Sequence, residues 1–190
     1  MRLFVAVELP EVVRERLGRG LVELRRALPP ARWVRAEGVH LTLKFLGEQP
    51  EGLVAQLEAA VPKAFSELAP VTVQLCGAGF FPRPERPRVA WLGGVAPGLE
   101  RWAAAVEEVA AAMGVPREGR PFSLHLTLAR LDRPWGQRAV EDFSVRVGKW
   151  SFPAFEAREA VLFRSELRPS GAVYTALARF PVGGAGCGQK

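Results

Sequence analysis

The tetrapeptide His-Leu-Thr-Leu occurs twice in this chain, at residues 40–43 and 125–128. The two copies begin 85 residues apart in a chain of 190 residues, which is close to half of its length. A repeat at this spacing indicates two similar structural units rather than one irregular fold. Because 48% of the residues are apolar, the chain is also able to bury a sizeable core.

The pattern of apolar residues predicts an α+β fold. Apolar residues three and four apart predict helices that begin near Val13, Leu53 and Leu99. Alternating or continuous apolar runs predict strands at 3–9, 39–46, 71–76, 88–92, 122–131, 145–150, 158–164 and 172–180, with turns between residues 76 and 88. We therefore expect two pseudo-symmetric lobes of antiparallel-rich β-sheet, with outer helices and a catalytic cleft between the lobes.

The two lobes are expected to form one bilobal domain over residues 1–182. The half-chain repeat divides this domain at about residue 95, into lobes 1–95 and 96–182, and strands could be exchanged between them. The Gly-rich tail, 183–190, is predicted to be flexible.

Charge and composition limit the partners and the compartment. The net charge of +6 favours a polyanionic partner such as nucleic acid, although codon usage or thermal adaptation also produces an arginine bias. We see no signal peptide and no apolar run of about 18 residues that would span a membrane. The two cysteines, Cys76 and Cys187, are too few for a disulfide framework. We expect a cytoplasmic protein.

His40 and His125 are the only histidines, and each begins one of the repeated tetrapeptides. If both tetrapeptides are strands, side chains two residues apart share a face. This places His40, Thr42 and Lys44 on one face, and His125 with Thr127 on the corresponding face of the second copy. The leucines between them would face the core, so both histidines would line the cleft.

Paired histidines suit the cleavage of a phosphate ester. One imidazole removes a proton from the attacking oxygen and the other donates a proton to the leaving oxygen, because the unperturbed pKa of histidine, about 6.5, allows both near neutral pH. Each threonine could donate a hydrogen bond to a non-bridging phosphate oxygen. Two other hypotheses are a metal hydrolase with both histidines as ligands and a nucleotide- or RNA-binding module without catalysis. Metal sites normally need three or four protein ligands, and no third histidine exists, so carboxylates would have to complete such a site.

Further candidates for substrate binding lie near the two motifs. Lys44 would supply positive charge on the catalytic face. Arg130 falls on the face opposite His125 under strict alternation, and it would reach the cleft only if the strand twists or bulges near its end. Aromatic residues could stack on a base or could equally pack the lobes together, and these are Trp33, Phe80, Phe81 and Tyr174.

The sequence as a whole resembles the two-histidine phosphoesterase superfamily, which is defined by two His-x-Thr/Ser-x motifs. Within that superfamily it is similar to the RNA 2′,3′-cyclic phosphodiesterases, also called 2′-5′ RNA ligases. The resemblance rests on the two motifs and on segments spread over nearly the whole chain, at residues 2–6, 40–47, 79–82, 88–93, 125–130, 165–167 and 171–174.

This resemblance implies hydrolysis of RNA 2′,3′-cyclic phosphate termini to 2′-phosphomonoesters, without a metal or another cofactor. It implies His40 as the proton donor and His125 as the proton acceptor. Joining the cyclic end to a 5′-hydroxyl, as a 2′-5′ RNA ligase does, would use the same site and is the alternative activity. The implied partner is RNA with cyclic phosphate ends, tRNA fragments included, and the protein is expected to act as a monomer.

Overall fold

The computed structural model describes residues 1–168 and 171–183 and confirms the α+β fold. The helices are α1 (Glu11–Ala27), α2 (Gly52–Phe65), α3 (Leu99–Ala112) and α4 (Gln137–Gly148), with a short 3₁₀ helix at Ala36–Gly38. The strands are β1 (Arg2–Glu8), β2 (Arg32–Trp33), β3 (His40–Glu48), β4 (Val71–Phe81), β5 (Val89–Val95), β6 (Leu126–Arg130), β7 (Phe155–Ala157), β8 (Glu159–Arg168) and β9 (Gly171–Pro181). Among these residues, no helix has the length and apolar character needed to cross a membrane. Apart from Gly183, the tail predicted to be flexible lies outside the described residues, as does Cys187.

The strands form two antiparallel sheets. The four-stranded sheet has the order β3-β1-β8-β9, and the five-stranded sheet has the order β2-β6-β5-β4-β7. Each sheet takes strands from both halves of the chain, since β8 pairs with β1 in the first sheet and β6 pairs with β5 in the second. The sheets therefore exchange strands across residue 95, and neither of them corresponds to residues 1–95 or 96–182 alone.

One large core joins both sheets to the helices α1 to α4. Helix α1 packs against this core through one apolar stripe. Its buried residues recur every three or four positions, at Val13, Leu17, Leu21 and Leu24. The opposite face of the four-stranded sheet carries a separate small cluster of strand residues, Phe4, Ala6, Val161 and Phe163, with Tyr174 packed against it. This second cluster lies on the face that also carries His40.

Three local predictions differ from the structure. The strand predicted at 145–150 is wrong, because residues 145–148 end α4, whose buried Val140, Phe143 and Val147 have helical spacing. The turn predicted after residue 76 is also wrong. Strand β4 continues to Phe81 through a bulge at Gly77, where the positive φ of +75° suits glycine. The strand predicted at 122–131 is shorter, and the short strands β2 and β7 were not predicted.

Candidate active site

The two histidine motifs lie on strands at the edges where the two sheets meet. Strand β3 is an edge strand of the four-stranded sheet. Strand β6 has only the two-residue β2 on its outer side, and β2 pairs with Ala129 and Arg130, away from the histidine end. Strands β3 and β6 also contact each other. The fold therefore brings the two copies of the repeated tetrapeptide to the junction between the sheets.

His40 lies partly buried at the start of β3. Its ring stacks on Phe4 with the ring centroids 4.5 Å apart, and Tyr174 meets it edge-on at 5.1 Å. Its Nδ1 donates a hydrogen bond of 2.8 Å to the carbonyl oxygen of Gly38. Because a carbonyl oxygen only accepts hydrogen bonds, Nδ1 carries a proton and Nε2 is the nitrogen left free for chemistry.

His125 comes directly before β6 and repeats this arrangement. Its Nδ1 donates a hydrogen bond of 2.8 Å to the carbonyl oxygen of Ser123, again two residues earlier in the chain. Phe81 meets the ring edge-on at 4.9 Å, and Trp91 lies 6.4 Å away between centroids. Both histidines are thus oriented by a local backbone contact and flanked by aromatic rings, and neither Nε2 has a hydrogen-bond partner within residues 1–168 and 171–183.

Thr42 and Thr127 follow the histidines on the same faces. Thr42 is paired with Ala6 of β1, and Thr127 is paired with Trp91 of β5. Both threonines are partly buried, whereas the leucine that precedes each of them is buried in the core. The predicted alternation therefore describes the first three residues of each tetrapeptide correctly.

Both motif strands contain a β-bulge directly after the threonine. The register with the neighbouring strand skips Leu43 in β3 and Leu128 in β6. Because side chains alternate with a period of two, one extra residue exchanges the faces of the residues beyond it. Strict alternation therefore fails at the same position in both copies of the repeat.

The prediction that Lys44 shares a face with His40 is wrong because of this bulge. Lys44 is 1% exposed and points towards the core. Its Nζ lies 2.8 Å from Oε2 of Glu107 on α3 and donates a hydrogen bond of 3.0 Å to the carbonyl oxygen of Pro116. Lys44 therefore links β3 to α3 and the segment that follows it, and it is not available to a phosphate in the cleft.

The equivalent bulge in β6 places Arg130 on the face of Thr127, as the sequence analysis allowed. Arg130 is exposed, while Ala129 beside it is fully buried. In the first motif the equivalent position is Phe45, whose side chain is 48% exposed and whose ring centroid is 6.0 Å from that of Phe4. Each motif therefore presents one long side chain beyond its threonine, an aromatic ring in the first copy and a guanidinium in the second.

Phe81 and Tyr174, two of the predicted stacking residues, each lie against a histidine. Phe4 and Trp91, which were not predicted from the sequence, also belong to the two groups of rings around the histidines. A signal for Trp91 was present in the glycine opposite it, Gly79. A Cβ atom added at Gly79 would lie 2.1 Å from the indole ring, so only glycine fits there without a shift of the ring.

The other two aromatic candidates pack in the core. Phe80 is 5% exposed, and its ring lies 5.1 Å from that of Phe143 on α4. The ring of Trp33 lies 5.8 Å from that of Trp135. Phe80 thus packs α4 against the five-stranded sheet, and Trp33 packs β2 of that sheet against Trp135, so neither ring is placed to stack on a base beside the histidines.

The environment of His40 changes its acidity. Burial lowers the pKa of His40 to about 4, and the hydrogen bond to the Gly38 carbonyl opposes this shift only in part. The ring is therefore neutral near pH 7, with its proton on Nδ1. A negatively charged group close to Nε2 would raise the pKa again, because an opposite charge favours the protonated form.

The surroundings of the histidines offer few metal ligands. The described residues contain no group of three or more histidine, cysteine, aspartate or glutamate side chains placed to hold a metal ion. Each ring contacts aromatic side chains and one backbone carbonyl oxygen. What the site supplies is two oriented imidazoles, two hydroxyl groups and one exposed guanidinium.

Several proteins of known sequence are similar to this chain over almost its full length. A protein of Thermus thermophilus named RNA 2′,3′-cyclic phosphodiesterase is 38% identical, over 97% of this chain and 91% of its own length. A protein of Archaeoglobus fulgidus with the same name is 35% identical, over 95% of this chain and 99% of its own length.

Solved structures show the same fold. A crystal structure of a Thermus thermophilus protein is similar with a TM-score of 0.80 and 34% identity, and the match covers 97% of this chain and 99% of that one. The crystal structure of E. coli LigT complexed with 3′-AMP gives a TM-score of 0.73 and 29% identity, with 95% and 97% covered. The sequence model of the LigT-like phosphoesterases matches residues 7–91 and 93–174, a range that includes both histidine motifs. This chain therefore belongs to the LigT-like phosphoesterase family.

Proposed function

We propose that this protein hydrolyses the 2′,3′-cyclic phosphate ends of RNA and leaves a 2′-phosphomonoester. The observation that carries the proposal is the matched pair of histidines, each fixed through Nδ1 to a carbonyl oxygen two residues earlier and each with Nε2 free. The relatives named RNA 2′,3′-cyclic phosphodiesterase support the substrate class.

In the proposed reaction, Nε2 of His125 accepts a proton from water as the water oxygen attacks phosphorus. The bond between phosphorus and the 3′-oxygen breaks, and Nε2 of His40 donates the proton that this oxygen takes up. The product carries a 2′-phosphate and a 3′-hydroxyl, and the two histidines have exchanged protonation states. The hydroxyl groups of Thr42 and Thr127 would donate hydrogen bonds to the non-bridging oxygens as negative charge develops on them.

The low pKa of His40 means that its ring must gain a proton before it can act as the donor. A proton donor must be protonated, yet burial lowers the pKa of His40 to about 4. The negative charge of the cyclic phosphate next to Nε2 would raise that pKa, so His40 would take up its proton as the substrate binds. The donor would then be charged mainly in the complex, where its proton is needed.

We expect the ring of His40 to titrate near pH 4 in the free protein and at a higher pH when inorganic phosphate is bound. Because the chain has only two histidines, a His125→Gln variant assigns their ring signals in a proton NMR titration. Between about pH 4 and 6.5 the folded state binds fewer protons at this site than the unfolded state, so the free energy of unfolding should fall as the pH is lowered through this window. A midpoint near 6.5 in the free protein would contradict the burial argument.

Three other side chains could position the substrate. Tyr174 and Phe81 offer ring surface beside the two histidines, where a ribose or a base could pack. Arg130 would supply positive charge on the face of Thr127. Lys44 is left out of this proposal because its charge is held by Glu107 inside the protein.

The single core that joins both sheets supports the view that residues 1–182 act as one bilobal unit. We propose that this unit works as a monomer in the cytoplasm on RNA ends with a cyclic phosphate, such as those of tRNA fragments. Ligation, with a 5′-hydroxyl in place of water as the nucleophile, would use the same two histidines. Hydrolysis is favoured because water is present at far higher concentration.

The proposed function is tested by the products formed from short RNAs that end in a 2′,3′-cyclic phosphate, with and without a second RNA that carries a 5′-hydroxyl. Phosphorus NMR against authentic 2′ and 3′ isomers should show the 2′-phosphate, and the rate should survive excess EDTA. A 3′-phosphate would contradict the assignment of the leaving oxygen. A 2′-5′-linked product would favour the ligase, and binding without turnover would favour a non-catalytic module. Activity that is lost with EDTA and restored by Zn²⁺ would contradict metal independence.

A further inference from the structure

A second arginine lies next to Arg130, on the strand that pairs with β6. Strand β2 pairs with β6 so that Arg32 lies directly opposite Arg130. Directly paired residues of antiparallel strands point to the same face, so Arg32 lies on the face that carries Thr127. Trp33, its neighbour in β2, is paired with the buried Ala129 and packs against Trp135 on the other face.

Two like charges directly opposite each other on neighbouring strands destabilise a sheet. Here one carboxylate offsets the pair in part, because Arg32 is 2.8 Å from Oδ1 of Asp132. Both members of this ion pair are about two-thirds exposed, at 68% and 67%, so the arginine remains accessible to an external anion. The local charge is positive, and a phosphate between the two guanidinium groups would remove the repulsion.

A depression of about 520 Å³ opens beside Arg32. Its lining combines prolines and Trp135 with the charged side chains of Arg32, Asp132 and Arg133. Trp135 is 6% exposed, and its indole N–H is buried with no acceptor among the described residues. A buried donor without a partner is rare in native proteins, and here it lies in a side chain that lines the depression.

The length of β6 and its pairing with β2 indicate how far the depression lies from the catalytic residues. Arg130 comes five residues after His125, which is about 15 Å along an extended chain. Arg32 lies one strand further from the motif, and the depression begins where β6 ends. A group bound there is beyond the phosphate that reacts, so it belongs to RNA on the 5′ side of the cyclic end.

We propose that Arg32, next to Arg130, and the adjoining depression form a subsite for the RNA upstream of the terminal cyclic phosphate. Arg32 would bind an internucleotide phosphate, and the proline- and tryptophan-lined depression would receive a neighbouring nucleoside. The inference rests on the proposed function and adds to it that oligonucleotides are better substrates than cyclic mononucleotides.

The test compares kcat/KM for a 2′,3′-cyclic mononucleotide and for a trinucleotide with the same cyclic end. Arg32→Gln should lower the ratio of trinucleotide to mononucleotide kcat/KM about fivefold to tenfold, because one charge-assisted phosphate contact is lost. The plot of log affinity against log salt concentration should also become less steep, by about the contribution of one phosphate contact. The matched control is Arg146→Gln on α4, which removes the same charge and breaks a similar ion pair with Asp142. This control should leave the ratio unchanged.

An unchanged ratio in Arg32→Gln, or an equal fall in the control, would overturn the subsite. If the wild-type protein cleaves neither substrate, the proposed function is wrong. The subsite is then tested by RNA binding alone. In that case a trinucleotide with a terminal 2′-phosphate is titrated into both proteins. Affinity about fivefold weaker in Arg32→Gln than in the wild type would support the subsite, and equal affinity would overturn it.

Discussion

His40→Ala and His125→Ala should each lower the turnover of an RNA 2′,3′-cyclic phosphate by at least about 10²-fold, the scale of general acid–base groups. Each variant removes the only imidazole on its side of the phosphate, because the chain has no histidine other than His40 and His125. Turnover is measured at saturating substrate, so that a change in affinity does not hide the chemical step.

The controls separate chemistry from packing. Thr42→Ala and Thr127→Ala should reduce turnover less than the histidine variants, because each removes only one hydrogen bond to phosphate. His40→Gln serves as a second variant, since His40 packs against Phe4 and its removal leaves space in that small cluster. Circular dichroism establishes that the variants are folded. A folded histidine variant with near-normal turnover would show that the paired mechanism is wrong.

Lys44→Met should lower the free energy of unfolding by about 3 kcal/mol, the scale for removing one partner of a buried ion pair. Methionine keeps much of the side-chain volume but leaves Glu107 without its cation. The Lys44 side chain is 0% exposed and that of Glu107 is 19% exposed, so water solvates the remaining carboxylate poorly. Urea-induced unfolding of the variant and the wild-type protein measures the difference.

A neighbouring ion pair, between Glu108 of α3 and Arg117 of the segment that follows it, provides the matched control. Arg117 donates two hydrogen bonds to Glu108, at 2.5 and 2.7 Å, yet both side chains are exposed. Arg117→Gln should therefore change stability much less than Lys44→Met. The double variant Lys44→Met/Glu107→Leu should recover part of the loss, because it buries no uncompensated charge. Equal losses in Lys44→Met and Arg117→Gln would mean that the burial of Lys44 contributes little.

Much of the site could be predicted because it depends on the local pattern of the chain. The two tetrapeptides contain every histidine, and alternation alone placed each threonine beside its histidine. The α+β fold followed in the same way from runs of apolar residues with strand or helix periodicity. Where an amphipathic segment was short, as at 145–150, the same reasoning assigned a strand to residues that mostly belong to α4.

The faces of Lys44 and Arg130 could not be predicted, because they depend on pairing with another strand. In both motifs the register skips the leucine after the threonine, and only the hydrogen bonds to β1 and β5 show this. The skipped leucine turns Lys44 towards Glu107 and turns Arg130 outwards. Sequence periodicity assumes an unbroken strand, so it has no means of detecting a bulge.

The sequence by itself determined which residues carry the proposed chemistry, because histidine and threonine two residues apart share a face wherever no bulge separates them. Only the tertiary structure decided how these residues are used. It stacks His40 on Phe4 and buries the ring, and this burial lowers the pKa of His40 to about 4. It also brings the two motifs to one junction by exchanging strands between the halves of the chain. The physical reason is that burial and strand pairing depend on residues far apart in the chain, whereas alternation depends only on adjacent ones.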